Sequence, residues 1–249
     1  MILTFDHLST TRQADISKPL NISISVRRER GVSSFSIPGA VYRDYQDGDF
    51  IGRKDKGGPC NLETINFTPH GNSTHTECLG HISDENYLVN DCIEDSFMLT
   101  QLNTLATIEE DARYLDFSPI DFEDLSGIKA LIIRTLPNTI SKRNRDYSGL
   151  DTPCIHPTDM EHIVASGISH LIIDLPSVDP EWDGGAMASH YAFWQYPSNP
   201  RLDASITEFA FIPDEILDGE YLLKLNISNF ESDAAPSRPV LYTIIAADR

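Results

Sequence analysis

The sequence predicts a single strand-rich α/β domain, and three observations lead there. Short alternating or apolar runs recur from Leu20 to the far end, few segments carry helix signals, and no long Pro/Gly/Ser linker divides the 249 residues. A chain of this length can bury a sizeable core, and its 40% hydrophobic and 23% charged content is ordinary for a folded protein. Residues 1–249 are therefore read as one domain.

Taken in order, LNISISV (Leu20 to Val26) alternates apolar and polar residues, which predicts a half-buried strand. YRDYQDGDFIGRKDKGGP (Tyr42 to Pro59) is charged and Gly-rich and predicts an exposed loop, either a lid or a plain surface hairpin. ETINFTPH is expected to be a strand leading into a histidine-rich segment. ALIIRT (Ala130 to Thr135) is an apolar run of the buried-strand kind. Beyond it, Thr158 and Glu161 have capping-box spacing, which predicts a helix running to about Ser166 and stopping at Gly167. HLIIDL reads as the next buried strand, and LLKLNIS and PVLYTIIA as two more.

A formal charge of −19 argues against binding a nucleic-acid backbone or an anionic membrane surface. No apolar run approaches the ~20 residues of a membrane span. The opening MILTFDHLSTTRQ has no basic region followed by an apolar one, so no secretory signal is expected. Cys60, Cys78, Cys92 and Cys154 show neither CxxC spacing nor a disulfide framework, which points to a reducing cytoplasm.

The segment PHGNSTHTECLGH places His70, His75, Glu77 and His81 close together. Three ligand-type side chains are the minimum for a catalytic zinc or manganese site that keeps an open position. On an extended backbone His75 and Glu77 point to one face, and Gly71, Asn72 and Ser73 allow a turn that returns His70 to the same point. A hydrogen-bonded polar loop is the competing reading. Cys78 faces away from His75 and Glu77 on such a strand and reads as a core thiol more readily than as a nucleophile. His7, His156, His162 and His170 lack ligand spacing and are expected at the surface or in the core.

The segment resembles the metal motif of the cyclase family, which includes the bacterial kynurenine formamidases and isatin hydrolases and is written H-x-G-T-H-x-D-x-P-x-H. Thr74-His75-Thr76-Glu77 matches T-H-x-D, with Glu77 in the aspartate position, and His70 and His81 match the outer histidines. ALIIRT, DLPSVDP (Asp174 to Pro180), SHYAFW with His190 and ITEFAF with Glu208 match later family elements in the same order. The chain departs by an extra residue between His70 and His75, by Leu79 in place of proline, and by a long His190–Glu208 interval containing QYPSNPRLDA.

The resemblance implies a swivelling β/β/α domain, a homodimer or tetramer, and one or two Zn²⁺ or Mn²⁺ ions held by His70, His75, Glu77, His190 and Glu208. It further implies hydrolysis of an amide, lactam or ester carbonyl, with metal-bound water attacking and His81 as general base and acid. N-formylkynurenine is the first small-molecule substrate implied, and isatin-like lactams come next. A non-catalytic metal-holding scaffold of the same fold is the alternative. Tyr191, Phe193 and Trp194 would then line an aromatic pocket or belong to the core, and Asp174 and Asp179 would orient ligands or cap turns.

Overall fold

The computed structural model describes residues 1–93, 97–111 and 113–245. Its centre is a set of parallel strands, Met98–Leu105, Ala130–Thr135, His170–Ile173 and Ser205–Glu208, hydrogen-bonded in that order. Ala130 to Ile133 and Leu171 to Ile173 are fully buried, which is why both segments read as continuous apolar runs and not as alternation. Antiparallel strands Gly219–Ile227 and Ala234–Ile245 continue the sheet beyond Met98–Leu105. The short strand His75–Glu77 then bridges Ser205–Glu208 to the start of Ala234–Ile245 and closes the sheet into a barrel. Ala246, the last residue of PVLYTIIA, lies outside the described residues.

Alternate side chains of the central strands feed two cores. Ala130, Ile132 and Ile172 join Leu102, Leu223, Leu225 and Leu241 in one. Leu131, Ile133, Leu171, Ile173 and Ile206 join Met160, Ile163, Phe193 and Trp194 in the other. Those last four residues come from helices α2 (Pro157–Ala165) and α3 (Ala188–Trp194), which pack on the sheet. A one-turn helix, α1 (Pro69–Asn72), precedes the closing strand. No helix among the described residues is long and apolar enough to cross a membrane.

The strand-rich α/β expectation holds, with local corrections. Leu20–Val26 keeps its alternating burial, but only Leu20–Asn21 is strand. Beyond it, backbone groups bond singly: the Ile24 amide donates to Thr74 Oγ1 and its carbonyl accepts from the Thr74 amide. The strand expected over ETINFTPH stops at Asn66, and the chain turns into α1 at Pro69, a favoured first helical residue. Helix α2 starts at Pro157 with His156 as its cap, whose Nδ1 accepts from the Thr158 amide at 3.2 Å. Thr158 therefore sits inside the helix and not at its cap. The stop is as expected, with Gly167 at φ +89°. Part of Tyr42–Pro59 is regular structure: Val41–Asp44 pairs with Glu63–Asn66, and Gln46–Asp47 with Phe50–Ile51. Asp44 accepts from Lys56 at 2.7 Å and Glu63 from Arg28 at 2.6 Å. These are exposed pairs, screened by water, and contribute little to stability.

Candidate metal centre

The closing strand assembles the site through its register. Residues directly opposite in a ladder share a face, and Glu208 lies opposite His75 while Ala234 lies opposite Glu77. His75 and Glu77, two apart, project to the face covered by α3, which brings His190 down onto them. The inner atoms converge: His75 Nε2 lies 3.4 Å from Glu208 Oε2, and His190 Nε2 lies 3.2 Å from Glu77 Oε1 and 3.9 Å from Glu208 Oε1. Immediately after Glu208 the chain bends sharply, with Phe209 at φ +54°.

Helix α1 absorbs the extra residue between His70 and His75. It returns the His70 ring to 5.0 Å from that of His75 and places His70 Nδ1 3.1 Å from Glu77 Oε2. His81, on a 3-10 turn (Leu79–His81), stacks on His70 at 4.3 Å, with Nε2 3.8 Å from Glu77 Oε2. Leu79, where the motif has proline, is a buried core residue at the head of that turn. All six residues singled out in the sequence thus meet at one place. His75, Glu77, His190 and Glu208 form its buried floor, while His70 and His81 are partly exposed at its mouth.

Among the described residues, two groups can each bring their ligand atoms within 4.8 Å of one another, His70–Glu77–His81 and His75–Glu77–Glu208. Both contain Glu77. The polar bookkeeping fits a cation there: His75 Nε2 and Glu77 Oε2 are buried with no aligned hydrogen-bond partner, a costly state unless something else satisfies them. The outer nitrogens, in contrast, are occupied. His75 Nδ1 lies 3.1 Å from the Ser73 carbonyl and His190 Nδ1 lies 2.6 Å from Asp179 Oδ2. Asp179 also accepts from the Ser189 and His190 amides, so it anchors α3 and orients its histidine together.

Electrostatics follow from this crowding. Burial disfavours charge on Glu77, but the His81, His190 and His70 rings around it hold its carboxyl well below the usual range. Burial likewise works against His190, yet Asp179 and Glu77 raise it to about 10. His70 is raised to about 10 against the same penalty, by Asp233 and Glu77.

The structure decides several alternatives that the sequence left open. Phe193 and Trp194 are fully buried core residues; Trp194 stacks on His190 and donates its indole N–H to the Ala204 carbonyl. Of the three aromatics only Tyr191 is exposed, and it lines a cavity of about 740 Å³ together with Gln195, Tyr196 and Arg201. That cavity contains none of the six site residues. Asp174 lies elsewhere too, accepting from the Thr135 amide and hydroxyl and from buried Lys142. Cys78 is a core thiol that burial pushes up to about 11. Asp233, which no sequence signal singled out, reaches both His70 and His81.

The barrel, with helices packed outside it, thus carries at its closing strand a His/Glu cluster that could hold a divalent cation. The chain belongs to the cyclase family, whose model, described as "Putative cyclase", matches residues 14–180. A kynurenine formamidase from Bacillus anthracis is 23% identical over 239 residues, covering 95% of this chain and all of that one. Isatin hydrolase A from Ralstonia solanacearum superposes with a TM-score of 0.63 at 10% identity, over 92% of each chain. Isatin hydrolase A from Labrenzia aggregata gives 0.62 at 10% identity, over 91% of this chain and 93% of its own.

Proposed function

We propose that this protein is a metal-dependent hydrolase of an amide, lactam or ester carbonyl, arylformamidase-like, converting N-formylkynurenine to kynurenine and formate. His70, His75, Glu77, His190 and Glu208 would hold one or two Zn²⁺ or Mn²⁺ ions. The observation that carries this reading is that His75 Nε2, buried among Glu208 and the other inner atoms, has no hydrogen-bond partner while the outer nitrogens of His75 and His190 are occupied. Imidazoles held by their outer nitrogen offer the inner lone pair to a metal. The formamidase relative supports the choice of first substrate; isatin is the second to test. A cytoplasmic, homo-oligomeric enzyme of tryptophan catabolism is the matching cellular role.

A bound divalent cation supplies Lewis acidity, polarising the carbonyl and lowering the pKa of water toward ~7. His81 stands at the exposed mouth with Nε2 turned inward, where it can take a proton from the attacking water and return it to the leaving nitrogen. Water adds to the carbonyl carbon, so the C–O bond forms as the C=O π bond opens; the C–N bond then breaks as the carbonyl re-forms, and the proton taken by His81 leaves on the amine. The buried floor excludes bulk water from the side opposite the substrate.

The test is elemental analysis of the purified protein together with assays on N-formylkynurenine and isatin. Stoichiometric zinc or manganese with turnover is expected. Metal without turnover on a broad amide, lactone and ester panel would instead identify a binding protein, and absence of metal would refute the centre. Metal uptake should also release protons. His70 and His190, raised to about 10, hold inner protons at neutral pH in the metal-free protein. A cation must displace them, so apparent affinity should climb with pH up to about 10. Calorimetry in buffers of differing ionisation enthalpy measures this release, and none at neutral pH would contradict the ligand set.

A further inference from the structure

Asp233 is a charged group at the mouth of the centre that the proposed chemistry leaves without a task. It immediately precedes the strand Ala234–Ile245, whose first residue is register partner to Glu77, so the same ladder that seats Glu77 seats Asp233 beside it. Its backbone carbonyl accepts from the Cys78 amide at 3.0 Å, which ties it to the histidine segment. Gly80 makes room: a Cβ there would lie 2.3 Å from the Tyr87 carbonyl and 3.2 Å from the Asp233 Cβ.

Both carboxylate oxygens are committed. Oδ1 accepts from Ser232 Oγ at 3.0 Å. Oδ2 lies 2.9 Å from His70 Nε2 and 3.3 Å from His81 Nδ1. These are the outer nitrogens of both rings, since His70 Nδ1 and His81 Nε2 are the ones turned to Glu77. A carboxylate only accepts hydrogen bonds, so each ring must bring its proton to Asp233. The neutral ring then has a bare nitrogen facing inward. His70 and His81 use opposite ring atoms to reach the same result.

We infer that Asp233 is a positioning residue that fixes His70 and His81 in complementary tautomers, leaving His70 Nδ1 as a metal-facing lone pair and His81 Nε2 as the proton acceptor. Asp179 does the same for His190 from the opposite side. The inference rests on the hydrolase reading above but concerns ring protons, which can be observed without turnover. A histidine whose proton sits on the wrong nitrogen is a poor base; in serine proteases, loss of the orienting carboxylate costs ~10⁴-fold in kcat, and loss of a carboxylate behind a metal ligand costs ~10–100-fold in metal affinity.

The experiment uses the Zn²⁺-loaded protein with ¹⁵N-labelled histidine, reading ring protonation by long-range ¹H–¹⁵N correlation. In the wild type, His81 should carry its proton on Nδ1 with Nε2 bare. Asp233→Ala should lose that pattern, lower kcat by ~10²-fold or more at saturating Zn²⁺ with KM little changed, and weaken Zn²⁺ in chelator competition by ~10–100-fold. Asp233→Leu, nearly isosteric, guards against misfolding: it keeps the side-chain volume but has no acceptor at the position of Oδ2, which takes both ring protons, so the pattern should fail on both rings. A wild-type His81 protonated on Nε2, or variants that keep both tautomer and kcat, would overturn the inference. Absence of turnover in the wild type would sink the hydrolase reading alone, because the tautomer measurement stands without it.

Discussion

Glu77→Ala is expected to yield a purified protein without metal. Glu77 is common to both ligand groups, so its removal leaves neither with three ligand atoms from the same set. It is also the carboxylate faced by His70, His81 and His190 together. Losing a carboxylate that itself faces the cation should exceed the ~10–100-fold affinity cost of losing a group that only orients a ligand, which puts the variant below stoichiometric loading at micromolar metal. Stability should fall as well, though less than the ~3–5 kcal/mol of a broken buried ion pair, because the histidines can shed their protons instead of remaining charged. Glu77→Asp is the informative control. Aspartate occupies this position in the family motif the segment resembles, so it should retain metal partly despite its shorter reach. Elemental analysis and thermal melting of the three proteins decide the matter; a Glu77→Ala protein carrying a full complement of metal would refute the shared-carboxylate arrangement.

How much of this was legible in the sequence depends on what held each residue in place. His70, His75 and Glu77 were legible because their convergence is local: two residues apart on a strand share a face, and small residues before them permit a turn. That the turn is a helical one, α1, was not, since four residues carry too little periodicity to read. His190 and Glu208 came only from the ordered resemblance, for nothing in their spacing says that α3 folds over the strand Ser205–Glu208. Helix α3 itself was missed: it is short, and left-handed residues at both ends, Met187 and Gln195, replace the usual cap signals. Asp233 was least legible of all. It joins the site through a strand pairing across the chain and sits in a polar stretch, SDAAPS, with no ligand spacing to mark it. The buried runs ALIIRT and HLII were read correctly because full burial on two faces leaves an unbroken apolar signature. In LNISISV the alternation was real, but alternating burial does not require a ladder when single side-chain and backbone bonds from Thr74 satisfy the chain.

His81→Ala separates proton transfer from metal holding. The deep group His75–Glu77–Glu208 is untouched by the change, and His190 still approaches both carboxylates. His81 Nε2 stands 3.8 Å from Glu77 Oε2, farther than His70 Nδ1 at 3.1 Å, and its ring lies at the exposed mouth. Metal should therefore remain while kcat falls by ~10²–10⁴-fold, the range for removing a positioned general base. KM should change little, because a group that acts on the proton in flight contributes to the transition state and not to the ground state. If His81 were instead a ligand, metal content and turnover would fall together, and restoring the metal by excess Zn²⁺ would restore the rate. A third pattern, metal retained and turnover unchanged, would remove His81 from the chemistry and leave the inward lone pair that Asp233 prepares on it without a use.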